Sequence, residues 1–376
     1  ADGTCTAKIT SVGGGQLSNR NLIINGAMNV AQRSTSSTTN GYAALDRYRN
    51  VYSGTDEAPT QSQVDVAAGT TPYTLGFRKA LKITNGNQTG GAGAADSLQI
   101  WQRIESQNIA NSGWNYLSAS SFVTLQFWVK SSVAQNFQGY LLNEDSSQNT
   151  FPFETGSLTA NTWTKVTKVV SGNSNLVFNN DNGAGLRVAI VPFLGTDSTS
   201  NSLSLDTWTA YNHPSNFTRD STSTWYTTND ATLEITGLQL EVGDTATSFE
   251  HRSFGDELAR CQRYCYEHLF PEANQFASIM LGCYYNSSRV YGSFKFPVSM
   301  RTAPTMVCTD SADAFNVYRD GGVDFVNEFH IDSSNNVGCN GAEILNDTDA
   351  SGTSGHAAFV RRGANSTTIF RFEAEL

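Results

Sequence analysis

Two tryptophans occupy strand positions where a polar side chain is expected. In "SLQIWQRIE", Leu98, Ile100 and Ile104 share one side with Gln102, which leaves Gln99, Trp101, Arg103 and Glu105 on the other. In "FVTLQFWVK", Val123, Leu125, Phe127 and Val129 share a side, opposite Thr124, Gln126, Trp128 and Lys130. A flat aromatic ring beside donors and acceptors is the chemistry of sugar binding: the ring covers the apolar face of a pyranose and the polar groups fix its hydroxyls. Trp101 with Arg103, and Trp128 with Gln126 and Lys130, have that make-up. Further rings come from Trp208, Tyr211, Trp225 and Tyr226 in "DTWTAYNHPSNFTRDSTSTWY". The competing reading is that any one of these rings is covered by a loop, by a second domain or by another subunit.

Other chemistries lack their residues. The chain has no HExxH, no GxSxG and no P-loop, and "GGAGAAD" misses the last glycine of a dinucleotide fingerprint and reads as a mobile loop. Cys261 and Cys265 could supply half a metal site, but no second close cysteine pair exists and His268 lies off their face, so buried thiols and no metal or cofactor are expected. His213, His251, His268, His330 and His356 share no spacing with an acid or nucleophile. Glu144 and Asp145, and likewise Asp310 and Asp313, sit in turn-like text, which makes glycan hydrolysis a minor alternative to an expected non-enzyme. Asn-x-Ser/Thr triplets, such as those at Asn87 and Asn365, are expected by chance in so Asn- and Thr-rich a chain.

The elements that would position such residues are mostly β. A length of 376 residues predicts two units, and 15% charged residues with 32 glycines describe many short strands joined by polar turns. The 24 Lys and Arg against 34 Asp and Glu give a net charge of −10, which argues against a nucleic-acid partner. No run of 18 apolar residues is present, so no membrane insertion is expected. "ADGTCTAKITSVGGG" lacks a secretory pattern, and an initial Ala is what trimming of a start Met leaves; an unprocessed intracellular product is expected. Six cysteines are too few for a disulfide scaffold.

Residues 1–20 read as an arm ordered, if at all, by a partner. Residues 21–247 read as a β-sandwich. Its closing strand carries a bulge at Thr236 and Gly237, because the inward set slips there from Leu233 and Ile235 to Leu238, Leu240 and Val242. Residues 248–269 read as a helix capped by Ser253, with Phe254, Leu258, Cys261 and Cys265 on one stripe. Two turns are short for a coiled coil, so the helix is a connector, packed either on its own sheet or about an axis with copies of itself. Residues 270–376 read as a smaller β domain with a modest core.

Several segments carry a family resemblance: "NLIINGAMNVAQR", "ALDRYR", "LEITGLQLEVGDTATSFEHRSFGDELARCQRY", "FPVSMRTAPT" and the terminal "AEL". Together they resemble the tail-fibre and other virion fibre proteins of tailed bacteriophages, cyanophages among them. The resemblance implies a virion structural protein, assembled in the host cytoplasm and usually a homotrimer. Its residues 1–20 would dock on another virion protein, and its distal 270–376 would trimerise and touch a host cell-surface glycan or protein. Phe254, Leu258, Cys261 and Cys265 then become candidate trimer contacts, and neither β unit is expected to finish its interior alone. Through "NLIINGAMNV", "LQFWVKSS", "NTWTKVT" and "LEITGLQLEVG", residues 21–247 also look like jelly-roll carbohydrate-binding modules. The alternatives are a head fibre or capsid decoration protein, or a non-viral carbohydrate-binding or glycan-degrading protein.

Overall fold

The computed structural model describes residues 19–145, 147–212, 214–270, 276–332, 337–364 and 367–376. The expected arm, up to residue 18, lies outside them, as do Cys5, His213 and Asn365. The chain divides into two units between Arg252 and Ser253.

The first unit is built from two six-stranded antiparallel sheets. The first sheet runs in the order Ser36–Ser37, Thr60–Asp65, Lys79–Thr84, Thr232–Val242, Phe122–Ser131, Thr164–Ser171. The second runs Thr209–Ala210, Asn149–Ser157, Asn136–Asn143, Ala184–Leu194, Ser97–Glu105, Arg49–Ser53. Strand alternation decides what lies between them. Val123, Leu125, Phe127 and Val129 of the first sheet share one core with Leu98, Ile100 and Ile104 of the second. Gln102 is buried with them at no cost in unpaired polar groups, since its amide donates to Ile24 O and accepts from Ile24 N, both at 2.9 Å. The mostly β class and the sandwich are thus observed.

The slip in the closing strand is a register shift against Phe122–Ser131 between Thr236 and Gln239. Gly237 takes φ of 65° there, and a Cβ on it would stand 2.7 Å from the Phe77 ring. "NLIINGAMNV", by contrast, is no strand. It is an irregular segment that buries Ile23, Met28 and Val30 and is held by Asn25, whose side chain donates to Val30 O (2.8 Å) and Asp46 O (3.0 Å).

The helix is shorter than its sequence suggests. It spans Phe254–Gln262, with the Ser253 hydroxyl accepting from Asp256 N at 3.2 Å. Cys265 falls on a strand, Cys265–Glu267, that pairs with Phe370–Glu373. Cys261 and Cys265 are fully buried within the second unit, Leu258 is half-buried and Phe254 is exposed. The four do not form one stripe: Cys261 and Cys265 are buried within the unit, whereas Phe254 stays exposed. The helix falls at the start of the second unit.

That unit holds one sheet in the order Gly322–Val326, Phe315–Arg319, Ala357–Arg362, Ser278–Asn286, Arg289–Lys295, Gly341–Asn346, His330–Ile331, with Val337–Gly338 also beside Gly341–Asn346. A second sheet runs Cys265–Glu267, Phe370–Glu373, Thr305–Cys308. Between them Phe294, Phe296, Phe315, Phe329, Phe370 and Phe372 form an aromatic core. Each unit therefore closes an interior of its own, which overturns the expectation that neither would.

Candidate functional site

The outer face of the second sheet carries the groups with binding chemistry. Alternation that sends Leu98, Ile100 and Ile104 inward sends Gln99, Trp101 and Arg103 outward, and the same rule turns Tyr140, Leu142 and Arg187 to that face. Register sets Arg103 opposite Arg187, and Arg187 opposite Leu142 on its other side; Trp101 lies opposite Ala189. The segment after Ala184–Leu194 returns over this face and lays Phe217 on Tyr140 and Tyr211 on Phe217, with ring centroids of Tyr140 and Phe217 5.2 Å apart and those of Tyr211 and Phe217 4.8 Å apart. Sheet and returning segment bound a cleft of about 480 Å³, lined among others by Trp101, Arg103, Glu144, Gln148, Arg187 and Tyr211.

Glu144 organises its floor. Its carboxylate accepts two hydrogen bonds from Arg103, from Nε at 2.7 Å and from Nη2 at 2.9 Å, and it is also paired with Nη2 of Arg187. Such forked pairs fix both planes. Arg187 donates on to the Tyr140 hydroxyl (3.5 Å), which donates to Gln99 Oε1 (2.7 Å). The Trp101 ring lies against three guanidinium groups: Arg187 at 4.1 Å, Arg49 at 5.5 Å and Arg103 at 5.6 Å from its centroid. Burial works against the charge of Arg187, but Tyr140 and Glu144 outweigh it and hold the guanidinium more firmly protonated than usual. Burial likewise pushes the Tyr140 and Tyr211 hydroxyls up, so both are neutral donors at any physiological pH. Among the described lining residues Glu144 is the sole carboxylate, so the paired acids of glycoside hydrolysis are not assembled in this cleft.

The other sequence candidates are dispersed. Gln126, Trp128 and Lys130 belong to the first sheet and face away from the core on the opposite side of the sandwich, so they share no site with Trp101 and Arg103. Gln126 is buried and spent on Glu241 (3.2 Å) and Thr247 O (2.7 Å). Lys130 is paired to Glu234 at 2.8 Å and lies over Trp163. Trp128 lines a smaller hollow of about 330 Å³ with Phe77, Lys165, Phe249 and His251.

Trp208, Trp225 and Tyr226 are corrected outright: all three belong to the core. The Trp208 indole donates to Ser171 O (2.8 Å), that of Trp225 donates to Thr232 O (3.0 Å), and Tyr226 stacks on Phe193 at 4.2 Å. Of the nine candidates, Trp101, Arg103 and Tyr211 come together in one place. Glu144, set aside above as turn text, and Arg187 were missed. Arg187 had a signal, a lone charge within the apolar run "GLRVAIV".

No protein-family profile matches the chain. No curated protein matches it in sequence. Among solved structures it is similar to the enzymatically active domain of tailspike protein 4 of bacteriophage CBA120, at 10% identity and a TM-score of 0.30, over 59% of this chain and 21% of that one. It is also similar to a CBM4 module, at 12% identity and a TM-score of 0.30, over 58% of this chain and 97% of that one. A third likeness is the CBM22-1–CBM22-2 tandem of Paenibacillus barcinonensis Xyn10C, at 10% identity and a TM-score of 0.29, over 97% and 98%. The chain thus spans about a fifth of the tailspike chain. Overlaps this low bring no neighbour's ligand or activity with them.

Proposed function

We propose that the protein is a glycan-binding virion fibre protein of a tailed phage, a short homotrimeric tail fibre acting in host attachment, and that the cleft on the second sheet is where it holds sugar. The observation that carries the binding half is the cleft itself: Tyr211 of the returning segment, the largely buried Trp101 of the sheet, and the guanidinium groups of Arg103 and Arg187 line one hollow. Rings of this kind would cover the apolar side of a pyranose while the donors select hydroxyl positions. With one carboxylate, neutralised by two arginines, the cleft is equipped to bind and not to hydrolyse. The fibre half rests on the sequence resemblance alone. Weak sites repeated three times on one particle would gain avidity without further contacts.

Glycan-array binding of the intact chain, compared with Trp101→Ala and Tyr211→Ala, tests the cleft. Each substitution is expected to weaken binding by up to about tenfold, the equivalent of about 1.4 kcal/mol for a lost aromatic contact, whereas Trp128→Ala leaves it unchanged. Unaltered binding in both cleft variants would move the site elsewhere. Immunogold electron microscopy of phage particles tests the fibre reading, which an unlabelled virion would end.

A further inference from the structure

The cleft has more positive charge than its own carboxylate can balance. Arg103 and Arg187 line it, both over the Trp101 ring, and Glu144 is the one acid among the described residues of the lining. The Arg103 side chain is 19% exposed and that of Arg187 10%, so neither charge is fully hydrated. Desolvated cations are costly unless an anion joins them. One carboxylate shared between two arginines leaves the group with surplus charge in a chain whose total is −10. Donors are in surplus as well. Arg103 spends Nε and Nη2 on Glu144 and has three further N–H groups. Trp101 Nε1 and Arg187 Nε are buried without an acceptor among the described residues. Excess charge and excess donors in one place both call for an acceptor-only, negatively charged group.

We propose that the cleft selects acidic saccharides, with the carboxylate of a uronic or sialic-type sugar seated beside Arg103 and Arg187 and the ring of that sugar beside Tyr211. This rests on the glycan-binding reading of the same cleft. A carboxylate is the planar, two-oxygen partner that a guanidinium fork takes bidentately, as Glu144 already shows from the protein side. Ligand and Glu144 then compete for the same two cations, so Glu144 would set the affinity as a built-in counter-ion.

Calorimetric titration of the intact chain with two matched pairs tests this: tetragalacturonate against its methyl ester, and sialyllactose against lactose. At least one acid is expected to bind about tenfold or more tighter than its neutral partner at about 50 mM salt, with the gap narrowing toward about 0.5 M as screening grows. Arg103→Gln should bring the ratio of acid to neutral affinity down to about one, whatever it does to the neutral sugar itself, and Glu144→Gln should raise affinity for the acid. Should Glu144→Gln fail to fold, the wild-type salt dependence and Arg103→Gln still decide. Equal binding within both pairs overturns acid selectivity and leaves glycan binding standing; no binding by any of the four sugars, on an array as well as in solution, overturns both.

Discussion

Glu250 shows what the "FEHR" residues do. Its carboxylate accepts from the backbone N–H of Asn21 (2.9 Å) and of Arg20 (3.3 Å) and pairs with Arg252 at 3.0 Å, while Arg252 donates to Ile23 O at 3.1 Å. His251 contacts Leu75 O at 2.9 Å, and Phe249 packs edge-on against Phe77. Glu250 and Arg252 tie the end of the first unit to its beginning, and Phe249 and His251 tie it to residues 75–77. Arg301 does the same in the second unit, donating to Ala374 O (2.7 Å) and Glu375 O (2.9 Å). The segments that carry the family resemblance were legible as motifs, yet their work as clamps was not, because the partners lie more than 70 residues away in the second unit and more than 170 in the first. Burial would raise the Glu250 carboxyl, but the Asn21 amide, Arg252 and the Arg20 amide hold it below the usual 4.5. A depressed acid contributes stability above its unfolded value that is lost as pH falls through the folded one. His268 of the second unit is pushed below 6.5 by burial, with Ser278 O opposing only in part. Unfolded chain takes up that proton first, so stability there begins to fall as pH drops below 6.5. All six tryptophans lie in the first unit. Thermal melts followed by tryptophan fluorescence should therefore show an acid limb beginning near 4.5 that Glu250→Gln flattens, whereas calorimetry should show a second transition weakening already below 6.5. His268→Gln should remove that earlier loss, and an unchanged calorimetric profile would contradict this assignment.

Among elements, the closing strand Thr232–Val242 was the most legible. A break in a period-two pattern has few physical causes, and Thr236–Gly237 supplied the residue that a left-handed backbone position prefers. The Thr236 hydroxyl donates to Lys79 O at 2.8 Å and fixes the bulge to the neighbouring strand. Gly237→Ala should cost at least the roughly 1–2 kcal/mol of a left-handed residue with a Cβ, and more if the Phe77 ring, 2.7 Å from that Cβ, cannot move. Urea unfolding measures it, and a change below about 0.5 kcal/mol would show that the bulge relaxes freely. The helix was half legible. Its cap is where the sequence puts it, but the spacing of Cys261 and Cys265 continues a helical stripe that tertiary pairing cuts short, since Cys265–Glu267 gains ladder partners on Phe370–Glu373 that a further turn would forfeit. The aromatic cluster after Thr209–Ala210 was illegible for a related reason. Polar neighbours on every side of Trp208, Trp225 and Tyr226 gave no period, and the rings turn inward because their own N–H or stacking needs are met there.

At the scale of the whole molecule, each unit buries its own core, so a trimer has to be argued from what stays outside. The outer face of the larger sheet in the second unit supplies it. Leu281 is 71% exposed, Tyr285 68% and Phe325 53%, values that side chains of this kind rarely hold together on one surface without use. Register draws Val323, Tyr318, Phe359 and Leu281 into one row across four strands, beside a hollow of about 480 Å³. Arg361 lies over both Tyr318 and Phe359, so this row is flanked by a cation whose stem adds to the apolar area. On the trimeric reading, sister chains cover this face, and the interface uses the sheet and not the helix. Light scattering should then give about 122 kDa, three times the 40.7 kDa chain. Leu281→Asp should return the mass to that of one chain with little effect on the fold, because most of the side chain is exposed on its own unit. A wild-type mass of 40.7 kDa would leave the row without a sister chain to cover it, and a trimer that survives Leu281→Asp would place the contact on another surface.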